Sequence, residues 1–265
     1  MMLRAYQYRI YPTISQQEAL NKHFGSMRFI YNWALDMKIE AYKKDKTSLS
    51  RFDIQAFLPA LKKEKQWLTE VNAQSVQYAV KCMDDAYKHF FKNKAGFPKF
   101  KAKHFSKKSF TALQKVELLE DKLVMPKFLD GIKIKLSRPI EGIIKKCTIS
   151  VTSTGKYFAS ILSEIQKEFP AKKPITPQTT IGIDMGIKTL VVASDGRMYE
   201  NNKYLKKELG KLKYLQRIAS HKVKGSNNRK KANLCVAKVH EKIRRSAYRL
   251  YSQDYIRIDP RKPSG

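Results

Sequence analysis

The sequence predicts a multidomain α+β chain, and three patterns carry that expectation. Apolar residues step by three and four through 15–93, the period of helices with one buried face. Short β-type runs separated by turn residues fill 109–166 without a helical period. From position 179 the run TTIGIDMGIKTLVVASDGRMYE reads as a β-meander with one carboxylate, Asp184, on its first strand, and two basic helical stretches follow it.

Charge is the strongest global fact. The chain has 265 residues, with 54 Lys and Arg against 23 Asp and Glu, a formal net charge of +31. Such a surplus repels itself unless polyanions neutralise it, so nucleic acid is the expected partner. Hydrophobic residues make up 42%, too many for a disordered basic tail, and the length allows two or three units with cores of their own. No stretch is long and apolar enough to span a bilayer, and MMLRAYQYRIYP lacks the apolar run of a signal peptide. Cys82, Cys147 and Cys235 lie far apart with no C-x-x-C pair, which gives neither a zinc site nor a disulfide framework. The expectation is a cytoplasmic, reduced protein with no membrane partner.

In chain order, Met2–Tyr11 is expected as a strand ended by Pro12. Ser15-x-x-Glu18 reads as a capping box opening a helix with Leu20, Phe24, Met27, Tyr31, Ala34 and Leu35 on its buried stripe, and Arg28, Asn32 and Lys38 off it. The helical period resumes over 53–65, where Pro59 kinks or shortens the element, and Trp67-Leu68-x-x-Val71 is expected as a buried turn. A further helix spans 73–91 with Val76, Val80, Met83, Tyr87 and Phe90–Phe91 inward. Gly96–Lys103 alternates aromatics with lysines, which suits an extended segment with lysines toward phosphate and aromatics toward bases or core, or equally a connector with solvated lysines. Hairpins are expected around Glu120-Asp121 and Ser153-Thr154-Gly155, pointing to a small β-barrel or wedge that the N-terminal strand could complete. The prolines of 167–178 suit an extended linker. Beyond the meander, Leu205, Leu209, Leu212 and Leu215 face Val236, Val239 and Ile243 in a helical hairpin turning at 224–228. Between 203 and 245 fifteen Lys and Arg stand against two Glu, a surplus that lining a phosphate backbone would relieve.

Asp184 sits in an apolar run and, if buried there, needs a compensating partner. Three readings compete: a carboxylate capping a turn, a ribonuclease H-like nuclease site in which a first-strand Asp holds divalent metal with acids from later strands, and an actin or sugar-kinase type ATPase. The third favours small and hydroxyl residues after the Asp, and Ile187-Lys188-Thr189-Leu190 suits it poorly.

Five pieces in order, Tyr8-Arg9-Ile10-Tyr11-Pro12, Gly25-Ser26-Met27-Arg28-Phe29-Ile30-Tyr31-Asn32, Ala86-Tyr87-Lys88-His89-Phe90-Phe91, Gly96-Phe97-Pro98-Lys99-Phe100-Lys101 and Ile181-Gly182-Ile183-Asp184-Met185-Gly186-Ile187-Lys188, give the chain its resemblance to a known family. It resembles TnpB, the OrfB-type transposon-encoded RNA-guided DNA nuclease related to type V CRISPR effectors. The resemblance implies a wedge strand at 1–12, a helical recognition lobe at 13–103, a wedge-type β-barrel at 104–166, a linker at 167–178, and the N-terminal part of a ribonuclease H-like (RuvC) α/β domain at 179–245. It also implies an omega-type guide RNA, and a double-stranded DNA target chosen by a short adjacent motif plus base pairing.

Asp184 matches the family's first RuvC carboxylate, a ligand for catalytic magnesium. Phe52, Gln74 and Gln77 are candidates for reading the adjacent motif. Arg28, Asn32, Lys99, Lys101, Lys103, Lys222, Lys224, Arg229, Lys230 and Lys231 are candidates for nucleic-acid contact. The family's later glutamate, four-cysteine zinc finger and final aspartate find no counterpart, and 246–265 departs from the family pattern, as in a copy truncated at its C-terminus. That tail, with Asp254 and Asp259 outside any motif, is expected to be neither strand nor helix. The functional expectation is a magnesium-poor, RNA-guided DNA-binding protein of the nucleoid that does not cleave by itself. The alternatives are an endonuclease completed by another chain and a guide-independent basic nucleic-acid-binding protein.

Overall fold

The computed structural model describes residues 1–93, 96–103, 107–167, 176, 180–200 and 203–258, with the backbone alone for 93, 204–205 and 247–258. It divides into two units, 1–169 and 170–265. The linker expected at 167–178 lies almost wholly outside the described residues.

The first unit is built on a seven-stranded antiparallel sheet in the order β2-β6-β7-β1-β5-β4-β3. Its strands are β1 (Met2–Tyr11), β2 (Lys108–Ala112), β3 (Glu117–Leu119), β4 (Lys122–Met125), β5 (Phe128–Lys135), β6 (Ile143–Val151) and β7 (Tyr157–Ile165). The N-terminal strand lies inside the sheet, where Tyr6 faces Ile161 and Ile10 faces both Tyr157 and Ile134. Alternation sets the buried face: Tyr6, Tyr8 and Ile10 point inward with Ala159, Ile161, Cys147 and Ile149 from the neighbouring strands. Among the described residues β2 and β3 each pair on one side only, so the expected small barrel or wedge is an open sheet. The loop from β5 to β6 is tied down by Tyr8, whose hydroxyl donates to the Arg138 carbonyl at 2.9 Å, and by Tyr6, whose hydroxyl accepts the Glu141 N–H at 3.2 Å. Gly142 there has φ +81°, and a Cβ would stand 2.2 Å from the Glu164 carbonyl oxygen, so only glycine fits.

Helix α1 runs unbroken over Ile14–Asp45. Its capping box lies two residues before the expected one: the Thr13 hydroxyl accepts the Gln16 N–H, and the Gln16 side chain accepts the Thr13 N–H. The stripe of Leu20, Phe24, Met27, Tyr31, Ala34 and Leu35 is buried, joined by Ile30, His23 and Ser26. Phe57 divides the next helical stretch into α2 (Arg51–Ala56) and α3 (Leu58–Glu64), because Pro59 lacks an amide hydrogen and is tolerated only in a first turn. A 3-10 turn at Gln66–Thr69 buries Leu68, while Trp67 stays partly exposed edge-on to Phe29. Helix α4 (Ala73–Asn93) buries Val76, Ala79, Val80, Met83 and Tyr87. It packs on α1 and β2, so helices and sheet share one core.

The connector 96–103 departs from the expected alternation. Pro98 is its buried residue, while Phe97 and Phe100 are 46% and 54% exposed. Phe97 meets Tyr87 and Phe90 edge-on at 5.4 Å instead of entering the core. Lys101 is half-buried, with its ammonium 3.8 Å from the Tyr31 ring centre.

The second unit holds a three-stranded antiparallel sheet in the order β10-β9-β8, with β8 (Ile183–Met185), β9 (Thr189–Ala193) and β10 (Met198–Glu200). Gly196, at φ +85°, closes the hairpin between β9 and β10. Helices α5 (Tyr204–His221) and α6 (Asn227–Ile258) form a hairpin that buries Leu212, Ala219 and Val239 and half-buries Leu215, Ile218, Val236 and Ile243. Leu209 is excluded from this seam, and the Leu205 side chain lies outside the described residues. Contrary to expectation, the chain beyond 246 is helical as far as Ile258; Asp259 lies outside the described residues.

Candidate functional site

Asp184 stands in the middle of β8, opposite Val192 of β9, with no strand on its other side among the described residues. It was expected in a buried apolar strand, but the strand is open: Ile183 is 50% and Met185 62% exposed, and Asp184 itself is exposed. An exposed carboxylate keeps its hydration and needs no compensating partner. Asp195 sits in the β9–β10 turn and is engaged by Arg197, whose guanidinium lies 2.6 Å away, so that the hydrogen bonds from Arg197 hold its carboxyl below the usual carboxylate value. Among the described residues no three His, Cys, Asp or Glu side chains gather closely enough to hold a metal ion. A magnesium ion asks for an octahedral set of oxygens, and Asp184 offers one corner of it, so these residues do not fit the ion on their own.

The basic candidates fall into separate groups. In the second unit both acids of 203–245 are paired within the helical hairpin, Glu208 with Lys242 and Glu241 with Arg245 at 2.7 Å. The fifteen cations of 203–245 therefore remain in net excess by thirteen. The turn that presents them is firmly built. Gly225 takes φ +84°, the Ser226 hydroxyl accepts the Arg229 N–H at 3.1 Å, and the Arg229 guanidinium donates to the Lys222 carbonyl at 2.7 Å. Lys230 reaches Asn227 Oδ1 at 3.2 Å, and Lys222, Lys224 and Lys231 are exposed around the turn. Arg229 thus braces the tip, and the lysines present the charge.

In the first unit α1 and the connector meet through Asn32. Its amide donates to the Lys101 carbonyl at 3.0 Å and its carbonyl oxygen accepts the Lys101 N–H at 2.7 Å, so Asn32 acts as a clamp with both ends of its amide engaged. Arg28, one turn earlier on α1, shares a cleft with Lys101, Phe24, Met27, Lys107, Lys108 and Ser109. Lys99 and Lys103 are exposed on either side of the clamped residue. Burial lowers the pKa of Lys101, and the nearby Cys82 thiol opposes this.

The three motif-reading candidates divide differently. The exposed Phe52 ring lies under the Arg51 guanidinium at 4.5 Å. Gln55, on the same helix, donates to the Gln77 carbonyl at 3.0 Å, which brings α2 against the first turns of α4. The Gln74 side chain instead donates to Gln114 Oε1 at 2.6 Å, toward the sheet. Sequence reasoning missed Arg51, Gln114, Lys107 and Lys108. The Lys107-Lys108 pair was visible as charge, but only folding sets it opposite Arg28.

Comparison with known proteins places these features in a family. Residues 1–47 match the family described as "Helix-turn-helix domain" (HTH_OrfB_IS605), and residues 160–250 the family described as "Probable transposase" (OrfB_IS605). In this chain 1–47 hold a strand and one unbroken helix, without an internal turn. A "Putative RNA-guided DNA endonuclease" of Streptomyces pristinaespiralis is 33% identical over 247 residues, and "Putative RNA-guided DNA endonuclease InsQ" of Escherichia coli (strain K12) 31% over 246; each match covers 91% of this chain. The chain spans 60% of the length of either relative. A chain from "Cryo-EM structure of the Cas12f1-sgRNA-target DNA complex" superposes loosely, with TM-score 0.38 and 15% identity over 97% of this chain and 69% of that one. With both OrfB profiles matched and these relatives aligned along nearly its whole length, the chain belongs to the TnpB (OrfB) family of transposon-encoded proteins.

Proposed function

We propose that the chain binds an omega-type guide RNA in the cytoplasm and, through it, a double-stranded DNA target, and that it does not cut DNA by itself. The observation that carries this reading is the stretch 203–245 of the α5–α6 hairpin, whose two acids are already paired while thirteen cations stay in excess. A rigid helical face of one sign repels itself in isolation and is relieved by releasing counterions from a phosphate backbone. Relatives named as RNA-guided DNA endonucleases support the choice of guide RNA and DNA as the two polyanions. In this reading the recognition helices and the open sheet hold the first unit on the nucleic acid, with Phe52, Gln74 and Gln77 near the target-adjacent motif.

The non-cutting half follows from two-metal chemistry. Hydrolysis of a phosphodiester needs carboxylates from several strands to hold ions about 3.5–4 Å apart, one beside the attacking water and one beside the leaving oxygen. Asp184 alone does not assemble that set. A second reading, a site completed by acids of another chain, is favoured by one feature, the edge of β8 that has no strand partner among the described residues, with Ile183 and Met185 exposed beside Asp184.

The experiment is purification from the host followed by sequencing of bound RNA. A single defined RNA species, released steeply with salt, is expected. A random mixture of cellular RNA would replace the guide with a guide-independent basic binder.

A further inference from the structure

The cleft beneath α1 gathers four cations from three segments distant in sequence. Arg28 comes from α1, Lys101 from the connector, Lys107 from just before β2 and Lys108 from its first position; Phe24, Met27 and Ser109 complete the lining. It is a shallow, open cleft of about 30 Å³, and among the described residues no Asp or Glu lines it. None of the four cations forms an ion pair among the described residues, whereas elsewhere in this unit lysines find carboxylates readily, as Lys22 does in Glu70, Lys81 in Asp85 and Lys145 in Glu164.

The cluster is also held in place. Asn32 grips the backbone of Lys101 from both sides, and the Tyr31 ring lies against its ammonium at 3.8 Å. Lys108 and Ser109 are fixed by pairing with Val151 and Ser150 of β6. Arg28 projects from the helix whose neighbouring turn buries Phe24 and Met27. Like charges gathered around one cleft repel one another, and an anion among them turns that repulsion into attraction. A phosphodiester oxygen pair suits the donors present, a guanidinium fork, ammonium groups and a hydroxyl.

On the footing that the chain binds nucleic acid as set out above, we propose that this cleft seats one backbone phosphate of the bound strand, with Arg28 and Lys108 as its principal contacts and Lys101 as its fixed rear wall. The site reads no sequence; it fixes the register of the strand on the first unit.

The test compares two double variants of the full chain with equal charge removal. Arg28→Gln/Lys108→Gln empties the cleft of two cations, and Lys62→Gln/Lys63→Gln removes two from α3, away from it. Binding of a labelled single-stranded RNA oligonucleotide and of a labelled DNA duplex is measured from low to physiological salt, with thermal melting to confirm the fold. The cleft variant is expected to bind at least one of the two about three- to tenfold more weakly at physiological salt. Its slope of log affinity against log salt should fall by about 0.7–0.9 for each phosphate that is no longer neutralised. The α3 variant is expected to keep the wild-type slope. The arm with the weakened binding identifies the strand that enters the cleft. Equal weakening in both variants, or unchanged binding of both probes by the cleft variant, would overturn the site while leaving nucleic-acid binding intact. Failure of the unaltered chain to bind either probe would overturn both.

Discussion

His23 Nε2 accepts the backbone N–H of Asn72 at 3.2 Å, while Nδ1 of the same ring meets the Ala19 carbonyl at 2.9 Å. The carbonyl can only accept and the N–H can only donate, so these partners assign the proton to Nδ1 and a neutral ring to the fold. Asn72 in turn starts α4, its side-chain oxygen taking the Gln74 N–H at 3.0 Å and its carbonyl the Val76 N–H at 3.2 Å. One imidazole, packed against Phe110 and Phe128, thus joins α1, α4 and the sheet.

Burial lowers the pKa of His23 below its ordinary 6.5, against a smaller opposing effect of the Ala19 hydrogen bond and with help from Lys127. As pH falls, the unfolded chain takes up this proton before the folded one does. Stability from this group is therefore complete above pH 6.5, declines as pH drops from 6.5 toward the folded value, and levels off below it. Denaturation midpoints measured between pH 7.5 and 5 should show the decline, and His23→Phe should flatten it. That variant keeps a ring in the pocket but leaves the Asn72 N–H without its acceptor, at a cost of about 1–3 kcal/mol.

Asp84 is a second buried tie. It is paired with Lys38 at 3.2 Å and Lys88 at 2.8 Å, and the Lys38 ammonium lies 4.9 Å from the Tyr87 ring centre. Burial pushes the Asp84 carboxyl up, but the hydrogen bonds from Lys88 and Lys38 together outweigh it and hold the group below 3.8. Its contribution is present above pH 3.8 and lost as pH falls through the lower folded value, a window separate from that of His23. Asp84→Asn leaves the largely buried Lys38 charge without its counter-ion and should destabilise by about 3 kcal/mol in urea unfolding. Lys88→Gln, at the exposed end, should cost about 0.5 kcal/mol.

The connector gives a prediction that separates its aromatics from the core. Phe100 is 54% exposed, so Phe100→Ala should cost about 1–1.5 kcal/mol. Phe110, buried between Phe24, His23 and Phe128, should cost about 3–5 kcal/mol when cut to Ala. Comparable losses at both positions would mean that the connector carries core packing.

These differences mark what was legible in the sequence. Long periodic stretches such as the Leu20–Leu35 stripe and the hairpin around Gly155 follow from local patterning, because one buried face dictates the period. The half-exposure of Phe97 and Phe100 was not legible, because Phe97 and Phe100 fall on opposite sides of an extended run and the buried position went to Pro98 between them, with Asn32 and Tyr31 of α1 holding Lys101. Closure of the sheet depends on whether β2 meets β3, which neither strand encodes by itself. Asp184 was recognisable from its setting between Ile183, Met185 and Gly186, yet its exposure was not, because among the described residues β8 has a partner on one edge only. The cleft at Arg28 was invisible for a related reason, being made by three segments that meet only after folding.

The hairpin tip gives a prediction about rigidity. Arg229→Gln removes the hydrogen bond to the Lys222 carbonyl as well as one charge, whereas Lys231→Gln removes one charge only. Both should weaken RNA binding through the salt-dependent part, and Arg229→Gln should in addition raise amide exchange across 222–226. Equal exchange in the two variants would show that the guanidinium does not brace the turn.

The central claim, that this chain binds under RNA guidance without cutting, is tested most directly by a cleavage assay with the purified protein, its co-purified RNA, a matched DNA duplex and magnesium, run beside Asp184→Ala. The expected result is guide-dependent retention of the duplex with both strands intact, equal in the two proteins, because Asp184 is one exposed carboxylate whose removal disturbs no packing. Guide-dependent strand cleavage that disappears in Asp184→Ala would contradict it.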